Sequence, residues 1–256
     1  MDDNQAGRGG NMADITREVM ITESAEEAAR YAARQIPYIV WLNENNRDQS
    51  FPCGSYCVED LSDIDARYLD RVYRRFHDIP WDITETPRLR IREITVEDVP
   101  QLYELYRDAS VTQFMEPLFA EPEQEIIYTR EYIKNIYGFY GYGMWVLESK
   151  DSRQVIGRAG LEYKEGFEGL ELGFMLGVAY QHQGYAYEAC SAILAYGIEE
   201  LDQREYCSFI NENNEASIHL CERLGFVPQD RVRLQEINFD GMMVEKEFIQ
   251  YVYRAN

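Results

Sequence analysis

The stretch LELGFMLGVAYQHQGYAYEAC, Leu170 to Cys190, holds the residues best placed to do chemistry. It opens as an apolar run of strand character, turns polar at Gln181-His182-Gln183, passes Gly184 and continues with helical composition. A helix start presents unpaired N–H groups and the positive end of the helix dipole. Gly184 and Ala186 are small, so a ligand could approach the backbone closely. A pyrophosphate fits that geometry. An ordinary loop entering a helix has the same sequence signature, so two readings stand at this point: a phosphate cradle and a plain connector.

The turn needs a frame. GMWVLES, QVIGRAGLEYK and LELGFMLGV read as three consecutive strands with short turns, hence an antiparallel meander. A helix follows from Gly184 to Glu200, then the strand REYCSFI, then the short helix NEASIHLCERLG with Gly225 as its C-cap. Upstream, LRIREI alternates Leu89, Ile91 and Ile94 against charged residues, as a half-buried strand does. TVEDVPQLYELYRD starts a helix with Thr95 as N-cap and Asp98 at the third position. A second amphipathic helix runs from about Pro122 to Tyr137, and the segment following Phe226 carries a hairpin turn at Asp240-Gly241. Pro80–Arg88 reads as a connector. Before it, residues 15–80 spell strand, helix, strand, strand, helix, with Ser24 and Glu27 as a capping box, so a small α/β unit with parallel strands is expected. Residues 1–14 read as a disordered tail.

Composition narrows the class. The chain has 256 residues, 45% of them hydrophobic, enough for a packed core. A formal net charge of −21 argues against nucleic-acid and anionic-membrane partners, which call for a basic patch. The five cysteines are odd in number and read as reduced thiols; with only three histidines, no metal site is expected. No apolar run reaches membrane-spanning length and the first residues hold no signal-peptide core, so a cytoplasmic location is expected.

Gln181-x-x-Gly184-x-Ala186 matches the acyl-CoA pyrophosphate loop Q/R-x-x-G-x-G/A, and NEASIHLCERLGF, Asn214 to Phe226, matches a second signature of the same family. On these motifs and the order of elements from Leu89 to Tyr253, the chain resembles the GNAT-superfamily N-acetyltransferases, most nearly the branch that acetylates ribosomal-protein N-termini. The resemblance implies an α/β (α+β) fold: a mixed, mostly antiparallel sheet splayed in the middle, helices on both faces, and acetyl-CoA as co-substrate. It implies that the backbone of Met175, Leu176, Gly177 and Val178 pairs with pantetheine. Gln181, His182, Gln183, Gly184, Tyr185 and Ala186 would hold the pyrophosphate, Asn214 would bond the pantetheine arm, and Ser217 would lie close to it. An N–H near Val178 would polarise the acyl carbonyl. Glu171 is the candidate base for the amine, its apolar neighbours raising its pKa; the competing reading is a surface carboxylate. Where many members of the family carry an acid tyrosine, this chain has Cys221, which either donates weakly or simply packs.

The acceptor is less legible. Tyr137, Phe139, Tyr140, Tyr142 and Trp145, set between glycines, are candidates to wall a substrate pocket, and a packed helix–strand corner explains them equally well. The expected partner is an amine-bearing small molecule or a peptide N-terminus, acetylated by direct transfer, and the protein is a possible homodimer. The alternative is an acyl-CoA sensor that has lost efficient catalysis. VMITESAEEAARYAARQIPYIVWL resembles a Rossmann-like strand–helix–strand of haloacid-dehalogenase-type phosphatases, without their catalytic Asp-x-Asp, which implies a non-catalytic accessory unit ahead of an acetyltransferase domain over 86–256.

Overall fold

The computed structural model describes residues 18–237 and 242–255; the predicted tail and the Asp240-Gly241 turn lie outside the described residues. Two compact units meet in sequence between Trp81 and Asp82.

The first unit carries β1 (Met20–Thr22), α1 (Ala25–Ala33), β2 (Tyr38–Trp41), β3 (Tyr56–Val58) and α2 (Ala66–Phe76). Its three strands are parallel in the order β1-β2-β3. Consecutive residues of a strand face opposite ways, and β2 uses both faces: Ile39 packs with Val72 of α2, and Val40 with Ala28 of α1. The Ser24 hydroxyl accepts the Glu27 N–H at 3.3 Å, but the Glu27 carboxylate takes the Thr22 hydroxyl at 2.8 Å instead of closing the capping box.

The second unit is an eight-stranded sheet, β10-β11-β9-β8-β7-β6-β5-β4. Its strands are β4 (Asp82–Glu85), β5 (Leu89–Arg92), β6 (Met144–Ser149), β7 (Val155–Tyr163), β8 (Leu170–Leu176), β9 (Glu205–Ile210), β10 (Val227–Ile237) and β11 (Met243–Arg254). Every pairing is antiparallel except β8 with β9. The helices are α3 (Val99–Tyr106), α4 (Ala109–Thr112), α5 (Pro122–Tyr132), α6 (Tyr185–Glu200) and α7 (Glu215–Leu224). On β7, Leu161 lies against Gly197 of α6, while its neighbour Glu162 bonds Tyr132 of α5. Adjacent strand residues point to opposite faces, so α5 and α6 cover opposite sides of the sheet.

Two sequence expectations are corrected here. The Pro80–Arg88 connector contains β4, whose residues pair antiparallel with β5. The helix expected to reach Tyr137 leaves α-geometry at Ile133 and passes through a π-turn, Ile133–Tyr137. That wider turn faces Tyr132 and Tyr137 toward each other, ring centroids 5.3 Å apart.

Candidate active site

The middle of the sheet is forked. β8 and β9 share only two rungs, Leu170↔Tyr206 and Glu171↔Cys207. Past them β8 stays with β7 and β9 with β11. The Ser208 hydroxyl donates to the Leu172 carbonyl at 2.7 Å and closes the vertex. From Gly173 to Leu176, β8 has no β9 partner, so its edge is open to an extended ligand with amides of its own.

β8 empties into the predicted loop. The Gln181 side chain donates to the Leu176 carbonyl at 3.0 Å and Gln183 to the Ala179 carbonyl at 2.7 Å, so both fold the loop on itself. Gly184 has a φ of 84°, which a residue without Cβ adopts without strain, and α6 begins at the next residue with no side-chain cap. Its first N–H groups are therefore available to an anion. Arg88, which the sequence reading missed, braces the loop from outside. It donates to the Gln183 carbonyl at 3.0 Å, pairs with Glu188 at 2.6 Å and lies 4.1 Å over the Tyr185 ring. Burial pushes the Glu188 carboxyl up, but the Thr86 hydroxyl and Arg88 outweigh it and hold it below the usual carboxylate range.

A cavity of about 500 Å³ runs along this loop, walled by Met175, Leu176, Gln181, His182, Gly184, Tyr185, Ala186, Asn214 and Ser217 among others. Nine of the predicted cofactor residues thus share one cavity, while Gly177, Val178 and Gln183 belong to the loop behind it. Asn214 N-caps α7, accepting the Ser217 N–H at 3.3 Å. Arg223, also unforeseen, lines the same cavity 4.0 Å over the Tyr187 ring.

A second cavity, of about 650 Å³, shares Phe174, Asn214 and Ser217 with the first and holds the carboxylates. Glu171 stands on the last rung before the fork and opposite Glu162 of β7. Both line this cavity, with Glu125, Arg158 and Lys164. Glu171 is not wrapped in apolar side chains as its sequence neighbours suggested: Leu170 and Leu172 are buried on the other face, and the Lys164 ammonium lies 3.6 Å from its carboxylate. Glu162 accepts the Tyr132 hydroxyl at 2.8 Å. Burial, then the charge of Glu162, push that hydroxyl's pKa up, so Tyr132 stays a donor.

Two groups of predicted residues fall elsewhere. Tyr137 and Trp145 are fully buried. The Tyr137 hydroxyl donates to Met144 O and accepts the Ile94 N–H, and Trp145 packs edge-on against Tyr196 at 5.5 Å. Tyr140 is exposed and rests on Tyr142 at 5.5 Å. None of the four lines either cavity: Tyr137 and Trp145 fill a packed corner, Tyr140 and Tyr142 lie at the surface beside it, and the aromatic wall of the larger cavity comes from residues such as Tyr106, Phe114, Tyr128, Tyr132 and Phe174. Cys221 is likewise buried and lines neither cavity, and burial drives its thiol up to about 12. The packing reading of Cys221 is the one its surroundings support.

Comparison with known proteins agrees with this architecture. The YkkB protein of Bacillus subtilis (strain 168) is 29% identical over 147 residues, covering 55% of this chain and 82% of that protein. YoaA of the same organism, named an N-acetyltransferase, is 24% identical over 152 residues, covering 59% and 86%. Among solved structures, RimL, a ribosomal L7/L12 alpha-N-protein acetyltransferase in complex with coenzyme A, has a similar fold, with a TM-score of 0.53 at 18% identity over 68% of this chain and 98% of that one. Residues 88–227 match the acetyltransferase (GNAT) domain. That span is over half of the chain, and the protein belongs to the GNAT acetyltransferase family, enzymes that use acetyl-CoA.

Proposed function

We propose that the protein transfers an acetyl group directly from acetyl-CoA to an amine bound in the larger cavity. The observation that carries this reading is the fork itself: its vertex at Glu171 and Ser208 opens onto the larger cavity, and the smaller one meets it at Phe174, Asn214 and Ser217.

The residues present fit the donor. The uncapped start of α6 suits its pyrophosphate, the free edge of β8 suits the amides of its arm, and the cavity between them is continuous with both. Arg223 and His219 add cationic and hydrogen-bonding character to the same wall. Bound there, acetyl-CoA supplies an acyl group activated as a thioester. Glu171 takes the proton of the incoming ammonium, directly or through a water, and Lys164 steadies the carboxylate. Glu162, held by Tyr132, keeps a second negative charge beside the amine. Val178 lies beyond the far end of β8, seven residues past Glu171 and outside both cavities, so the N–H that polarises the acyl carbonyl is assigned instead to the free edge of β8 past the fork. The unit ending at Trp81 acts as an accessory: its Glu23 and Glu27 carboxylates are engaged by Asn43 and Thr22.

The burial of Cys221 favours one second reading, a coenzyme-binding sensor without a working acid. Incubating the protein with acetyl-CoA and a panel of amines, and following both coenzyme A release and the mass of each amine, separates them. An acetylated amine supports transfer; tight acetyl-CoA binding with no acetylated amine supports the sensor.

A further inference from the structure

The charges of the larger cavity do not balance in the same way at its two ends. At the fork end, Glu171 and Glu162 face each other across β7 and β8, with Lys164 paired to Glu171 at 3.6 Å. At the other end stands Arg158, four residues earlier on β7 and on the same face as Glu162. Arg158 differs from the other well-sheltered arginine of this unit. Arg92 is held by Asp98 and Glu148, each at 2.8 Å. Arg158 has the Tyr106 hydroxyl as its hydrogen-bond partner, with the hydroxyls of Tyr132 and Tyr137 nearby. Its Nε is sealed from solvent without a partner, and among the described residues no carboxylate forms an ion pair with it. A sheltered guanidinium that no carboxylate pairs with directly, although Glu125 and Glu162 line the same cavity, is costly, and its planar fork is shaped for a carboxylate.

Between the two ends Gly160 and Gly173 are directly opposed in register, between the Arg158 and Glu162 rungs, and both are closely covered by Gly143 and Met144: a Cβ on Gly160 would collide with the Gly143 carbonyl, and one on Gly173 would meet the Met144 sulfur at 3.1 Å. Four strand residues at ~3.4 Å each separate the Cα atoms of Arg158 and Glu162 by about 14 Å. A volume of about 650 Å³ is that of a small-ligand site.

We infer that the acceptor is a small amino-carboxylate, an amino acid or short peptide with a free C-terminus, whose carboxylate docks on Arg158 and whose amine faces Glu171 and Glu162. This rests on the larger cavity being the acceptor site. It deepens that reading by assigning the acceptor a second recognised group.

The test compares matched pairs under identical conditions: amino acids and dipeptides against their C-terminal amides, with acetyl-CoA, following coenzyme A release. For the wild-type protein the free acids are expected to have kcat/KM about tenfold or more above the amides, from one charge-assisted pair and mainly through KM. Arg158→Gln is expected to erase the difference, and Arg158→Lys, which keeps the charge, to restore part of it. Equal rates for acids and amides in the wild type, or a preference for blocked peptides, would overturn the inference while leaving acetyl transfer standing. No acetylation of any amine would overturn the transfer reading itself. The wild-type comparison needs no variant to fold.

Discussion

Glu171 and Glu162 are both carboxylates on one cavity floor, yet their surroundings give them different work. Glu171 sits at the fork vertex with Lys164 beside it, and Glu162 is tied to Tyr132. Glu171→Gln is therefore expected to lower kcat about 100-fold or more, the scale of general-base catalysis, with the KM for acetyl-CoA little changed. Steady-state kinetics checks both numbers. Cys221 makes the opposite prediction. Cys221→Ala should leave kcat within about twofold while costing on the order of 1 kcal/mol of stability in urea denaturation, because the residue packs in the core and lines neither cavity. A native thiol titration should find Cys53 fastest, Cys57 slower because burial pushes its thiol up, and the buried Cys190, Cys207 and Cys221 slowest. The glycine turn into α6 was legible in sequence because its six residues are local. Arg158 was not, because its isolation depends on which strands lie beside it. Tyr137 and Trp145 misled because glycine-flanked aromatics look alike whether they wall a cavity or fill a corner.

At the scale of elements, the loop is held by a clamp from distant parts of the chain: Thr86 and Arg88 grip Glu188 of α6. Glu188 has its folded pKa below its unfolded one. Its contribution is full above the ordinary carboxylate value and is lost as pH falls from there through the folded value. Glu188→Gln should lower stability at neutral pH, and its melting temperature should fall less than that of the wild type between neutrality and about pH 3. A thermal-unfolding series at stepped pH reads this directly, and equal slopes for the two proteins would remove the clamp's role. Ser208→Ala leaves the buried Leu172 carbonyl without its donor and should cost about 1–3 kcal/mol. The meander, α6 and α7 were legible from periodicity and caps. β4 was hidden by prolines on both sides, and the π-turn after α5 leaves no composition signal, since it is set by where Tyr132 and Tyr137 find Met144.

For the whole molecule, the charge of −21 sets how the substrates approach. Acetyl-CoA is a polyanion and meets a repelling field. At ~0.01 M salt that field extends about 30 Å, and at ~0.15 M about 8 Å. The KM for acetyl-CoA should therefore fall as salt rises over this range, whereas a zwitterionic acceptor, with no net charge, should show little change. The division at Trp81–Asp82 leaves both cavities within the unit from Asp82 onward, which is also where the family match lies. The most direct test of the account is the acetylation rate of the amine panel, measured by mass spectrometry for the wild type and Glu171→Gln side by side at saturating acetyl-CoA. The account predicts an acetylated amine with the wild type and a rate reduced about 100-fold or more with the variant. Equal rates in the two proteins would contradict it.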